Sequence, residues 1–74
     1  MDYGAALKIA ESKNPFGANA TVRKIDDFNN GYVFLAELPL NSGIIPDKMI
    51  IAVHDNGKTG ASVYSVEDAI SNIK

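Results

Sequence analysis

Cysteine is missing from this chain, so neither a disulfide framework nor a thiolate metal centre is available to it. A domain of 74 residues must then be held by packing, or by association with another copy. No segment approaches the roughly 20 consecutive apolar residues that cross a bilayer. The first residues, Met1-Asp2-Tyr3-Gly4, carry neither the basic region nor the apolar run of a secretory leader, and the expectation is a cytoplasmic protein. A basic excess is also lacking. Seven Lys and Arg stand against nine Asp and Glu, and Lys8, Lys13, Arg23, Lys24, Lys48, Lys58 and Lys74 are scattered. Binding a nucleic acid by neutralising phosphates needs clustered cations, so no nucleic-acid partner is expected, and no membrane surface either. The acidic excess is too slight for a DNA mimic.

What the chain does have is a run from Val22 to Tyr64 in which apolar segments alternate with two reversal signals, Asn29-Asn30-Gly31 and Asp55-Asn56-Gly57-Lys58-Thr59-Gly60. Before it, Tyr3, Ala6, Leu7, Ile9 and Ala10 recur near the helical period. A helix is expected from about residue 2 to 13, with Asp2 at its start and Pro15 and Gly17 ending it. The stretch from Ala20 to Phe28 suits a strand, but Arg23-Lys24 followed by Asp26-Asp27 breaks its alternation and predicts a bulge or an edge position. Tyr32 to Leu38 is apolar on both faces until Glu37 and reads as a central strand. Met49 to His54 and Ala61 to Tyr64 supply two more strands, separated from the first pair by a long loop, Pro39 to Asp47. Ser65-Val66-Glu67-Asp68 resembles a capping box ahead of Ala69, Ile70 and Ile73.

The expected fold is therefore a single α+β domain over residues 1–74: a four-stranded antiparallel sheet with an N-terminal and a C-terminal helix packed on one face. Its expected core includes Leu7, Ile9, Val22, Val33, Phe34, Leu35, Ile51, Val53, Val63 and Ile70.

Candidate chemistry is sparse. Gly57-Lys58-Thr59 suggests a phosphate loop, but Ala52 stands where that motif needs its first Gly, and the segment leads into a strand instead of a helix. A turn is the better reading, with Gly57 and Gly60 supplying positive φ. Asp55 could begin a calcium loop, yet its twelfth position is Val66, which cannot coordinate, and Gly57 occupies the third. His54 is the only imidazole, and adjacent Asp55 points to the opposite strand face. Ser42, Ser62, Ser65 and Ser71 have no base arranged for them, and Asp26 and Asp27 diverge on a strand. No catalytic residue, cofactor site or metal site is expected. The alternative is a minimal nucleotide or anion binder at Asp55 to Gly60.

Over Gly31-Tyr32-Val33-Phe34 and Ile50 through Gly60, about half the chain, the sequence resembles small α+β domains of the bacterial immunity-protein type. It is similar, more distantly, to the PepSY type. Such domains carry a Gly-aromatic strand and then a strand ending in an Asp-x-x-Thr-Gly-like hairpin. Here Tyr32 replaces the usual Trp, and Gly57-Lys58 are interposed in the turn. The resemblance implies a non-enzymatic protein that binds and restrains another protein. Small phage and mobile-element proteins share this texture, so a structural or accessory subunit of a phage or host assembly is the competing expectation. Tyr32, Ile44, Ile45 and Tyr64 are the candidate contacts for a protein partner or a second copy, with an exposed strand edge and the loop Leu40 to Asp47 as the docking parts. The alternative for Ile44 and Ile45 is that they fold back to cover the open end of the sheet.

Overall fold

The protein is described by a computed structural model covering residues 1–74. The first helix, α1, spans Tyr3–Lys13 and begins where an Asx cap begins it: Asp2 Oδ1 accepts from the Ala5 N–H at 2.8 Å. It stops at Asn14, whose backbone is extended because Pro15 follows. The Asn14 side chain then organises the exit, accepting from Phe16 N–H and donating to Gly17 O, each at 2.9 Å. A single 3₁₀ turn, Gly17–Asn19, leads into the sheet.

Four antiparallel strands follow as a meander, β1 (Thr21–Phe28), β2 (Gly31–Glu37), β3 (Lys48–His54) and β4 (Thr59–Ser62), ordered in space as in sequence. The expected irregularity in β1 is a register shift between Lys24 and Asp26, which leaves Ile25 without a partner on β2 and exposed. The second helix, α2 (Val66–Ser71), starts at Ser65, whose Oγ accepts from the Asp68 N–H at 3.0 Å.

The two helices lie on opposite faces of the sheet, which corrects the expectation of one shared face. Ala6 and Ala10 of α1 pack with Phe34, Ala36, Ile51 and Val53. Ala69 of α2 packs with Val33 and Ala52, their immediate neighbours along β2 and β3. Neighbouring strand residues point to opposite sides, so these are two separate cores. Because β2 and β3 are apolar on both faces, helices stacked on one side would have left Val33 and Ala52 in water. The centre of the α1 contact is the Ala6 and Ala10 pair, one helical turn apart and fully buried, whereas Leu7 and Ile9 flank it half-buried.

Three further expectations are corrected. Strand β4 ends at Ser62, two residues before Tyr64, and Val63 is exposed and outside the core. Val22, Leu35 and Ile70 are half-buried, while Val33, Phe34, Ile51 and Val53 form the fully buried centre. Gly57 does adopt positive φ, at 88°, but Gly60 does not. Gly60 lies in β4 beneath α2, where a Cβ would collide with the helix backbone.

Candidate functional site

Leu38 determines what the loop between β2 and β3 can do. It is buried, and its N–H donates to the Asp47 carbonyl at 2.8 Å, closing the base of the loop directly beyond the last ladder pair, Glu37 with Lys48. The residues between project past that closure. A turn forms as Ser42 N–H donates to Pro39 O at 3.0 Å, and Gly43 bends the chain at φ 73°. The Ile45–Pro46 peptide is cis. Leu38 is the buried residue at this sheet end, and the isoleucines do not fold back over it. Ile44 is 54% exposed, and Ile45 and Leu40 are each 95% exposed.

Strand register shows what else reaches this end. Ser62 pairs with Ile50, two residues from the Lys48 at which the loop returns to the sheet, so β4 finishes at this same end before the chain bends at Val63 and Tyr64. Tyr64 is 86% exposed there, on the β4 side of the loop. On the β1 side lies an open groove of about 510 Å³ lined by Asn19, Thr21, Glu37, Leu38, Pro39 and Leu40. Of the charges at this end, Glu37 pairs with Lys48 at 3.5 Å, while Asp47 stands at the base of the loop without an ion-pair partner. One end of the sheet thus carries a surface of low charge with exposed apolar side chains on a loop tied at its base.

Tyr32 is at the other end. Its ring meets Tyr3 edge-on at 6.1 Å between centroids, tilts against Phe34 at 6.4 Å, and sits 5.7 Å from the Lys24 ammonium. Of the four candidate contacts, three share the loop end and Tyr32 does not. Leu40 falls within the loop Leu40 to Asp47 expected to dock but is not among the four residues singled out, although its place beside Pro39 in a long loop is the available signal.

The other candidate residues serve local structure. His54 Nδ1 accepts from the Asn56 N–H at 3.1 Å, and Asn56 Oδ1 accepts from the Lys58 N–H at 2.9 Å, so Asp55 to Lys58 is a turn held by the side chains of His54 and Asn56, and Thr59 and Gly60 already belong to β4. Asp26 Oδ1 accepts from the Asp27 N–H, while Asp27 pairs with Lys24 at 3.2 Å. Ser62 Oγ accepts from the Tyr64 N–H at 2.9 Å, and Ser42 Oγ from the Ile44 N–H at 3.3 Å. No three His, Asp or Glu side chains are grouped as metal ligands would be. No helix is long and apolar enough to cross a membrane.

Both sheet edges are guarded. The β1 edge carries the bulge and the charges of Arg23, Lys24, Asp26 and Asp27. Just before β4 the Lys58 carbonyl accepts from His54 N–H. By alternation Gly60 and Ser62 also face β3, and the Ala61 carbonyl points to the free edge. There it accepts from the Asn72 side-chain amide at 2.9 Å.

No protein-family model, curated protein or solved structure matches the chain.

Proposed function

We propose that this is a non-enzymatic interaction module that docks a protein through the loop-bearing end of its sheet, with Leu40, Ile44, Ile45 and Tyr64 as the contacts. The observation that carries the reading is the near-complete exposure of Leu40 and Ile45 on a loop tied at its base by Leu38 and Asp47. An aliphatic side chain gains about 1.5–3 kcal/mol when it is buried, and a single exposed one is commonplace. Several gathered at one end of a small sheet are the mark of a contact surface. The guarded edges support the loop end over strand addition as the docking mode. A protein that restrains another by binding it, as the immunity-type resemblance implies, is the specific form of this function.

The test is affinity capture from the native host with wild-type protein and with the double variant Ile44→Asp, Ile45→Asp, followed by titration of the purified captured protein. The expected result is a saturable one-to-one complex that the double variant loses while keeping its circular dichroism spectrum. Equal binding by a folded double variant would remove the loop as the site. High-order assemblies on sizing would instead favour a structural or accessory subunit. Saturable amide shifts confined to Asp55 to Gly60 on adding ATP, phosphate or a divalent metal would favour the anion-binding alternative.

A further inference from the structure

The loop end carries a projection and a recess side by side. Ile44 and Ile45 form the projection on the returning leg of the loop. The recess is the groove of about 510 Å³ lined by Leu38, Pro39 and Leu40 of the outgoing leg and by Asn19, Thr21 and Glu37. A surface bearing both elements is complementary to itself. In a two-fold dimer every contact of residue i with residue j is repeated as j with i, so each copy can seat its isoleucines in the recess of the other.

We propose that a second copy of this chain occupies the loop end, forming an isologous dimer in which Ile45 of each protomer enters the groove beside Leu40 of the other. This inference rests on the loop end being a protein-docking surface, and it names the partner. Area and charge favour that occupant. Leu40 and Ile45 are 95% exposed, Tyr64 86%, Ile44 54% and Val63 41%, so three nearly whole apolar side chains and parts of two more lie open at this end. A stable interface takes roughly 800 Å² from each partner, and these side chains with the groove lining are what this end offers toward it. The acid in the groove, Glu37, is paired with Lys48 at 3.5 Å, the loop adds the single carboxylate of Asp47, and the chain carries a net charge of only −2, so the repulsion between two copies is small. An anionic membrane is a poorer occupant, because residues 39–47 contain no Lys or Arg.

Sedimentation equilibrium from about 10 μM to 1 mM tests the dimer, a range chosen for an interface at the small end of the stable class. The apparent mass should climb from 7.9 kDa toward twice that value. Ile45→Asp and Leu40→Asp should each weaken association at least about tenfold, the equivalent of one well-buried aliphatic contact. Both side chains are exposed in the monomer, so both variants should keep the wild-type circular dichroism spectrum. Geometry is tested separately, because a chain without cysteine allows clean pairing of single engineered thiols. Under mild oxidation an Ile45→Cys copy mixed with a Leu40→Cys copy should form the mixed disulfide in preference to either like pair.

A wild type that stays monomeric to 1 mM overturns the dimer and leaves the docking surface to be judged by the capture experiment. Dimers that persist in Ile45→Asp overturn the dimer geometry, and the docking surface is again judged by the capture experiment. Monomers that instead cosediment with phosphatidylcholine–phosphatidylserine vesicles overturn the choice of occupant.

Discussion

Gly60 lies directly beneath Ala69: a Cβ built on Gly60 would overlap the Ala69 carbonyl oxygen and crowd the Ile73 nitrogen. Glycine is therefore what lets α2 reach the sheet, since any larger residue meets rigid helix backbone instead of a side chain that could turn aside. Gly60→Ala should destabilise the fold by about 1–3 kcal/mol, the usual range for overpacking. Urea denaturation checks the magnitude. Amide exchange locates it, with protection lost first in α2 and at Asn72. An alanine variant as stable as wild type would mean that α2 does not dock on β4.

The local rules of the chain were legible and the non-local ones were not. Asp2, Pro15 and Ser65 each act within three or four residues, so the start and end of α1 and the start of α2 follow from sequence. The interrupted alternation of β1 likewise announced its bulge. Which side each helix covers is decided by residues far apart in the chain, and periodicity alone does not connect Ala6 to Phe34 or Ala69 to Val33. Gly60 misled in the same way. Beside Gly57 it looked like a turn residue, and the β-prone Val63 and Tyr64 drew the expected strand two residues too far. At the loop end, composition marked Ile44 and Ile45 as candidates, but that Leu38 is buried there while they stay exposed is a packing outcome that periodicity does not give.

Phe34 and Val63 should separate the true core from the expected one. Phe34 is fully buried between α1 and the sheet, and truncation to alanine should cost about 3–5 kcal/mol. That is comparable with the whole stability of a domain of this size, about 4–11 kcal/mol, so much of the population should unfold. Val63, 41% exposed, should tolerate Val63→Ala within about 0.5 kcal/mol. Thermal and urea melts of the two variants are the comparison, and equal losses would refute the assignment of Val63 to the surface.

The two caps should differ in where their loss is felt. Asp2→Ala and Ser65→Ala each remove a side-chain acceptor for an otherwise unpaired helix N–H, worth about 0.5–2 kcal/mol. The 11-residue α1 has its own core contacts and should fray only at its first turn. The six-residue α2 has little beyond Ala69 and its half-buried neighbours and should open as a unit. Amide exchange distinguishes the patterns. Loss of protection confined to Ala5 and Ala6 in Asp2→Ala, and spread across α2 to Asn72 in Ser65→Ala, is the expected result; the reverse pattern would refute this account.

Asn72 should prove to be the guard on the β4 edge. Its amide donates to the outward carbonyl of Ala61 at 2.9 Å, occupying an acceptor that an incoming strand would need. Asn72→Ala leaves that carbonyl to water, and because Ala61 is exposed the loss in stability should be no more than about 1 kcal/mol. The larger effect should be on association, since an uncapped edge is a template for strand pairing. Made in an Ile45→Asp background, which disables the loop-end contact, Asn72→Ala should still self-associate at high concentration, with new exchange protection at Thr59 and Ala61. A double variant that stays monomeric with those amides unprotected would show that the short β4 edge is inert even when uncapped, and that the Asn72 contact serves only to fasten the end of α2.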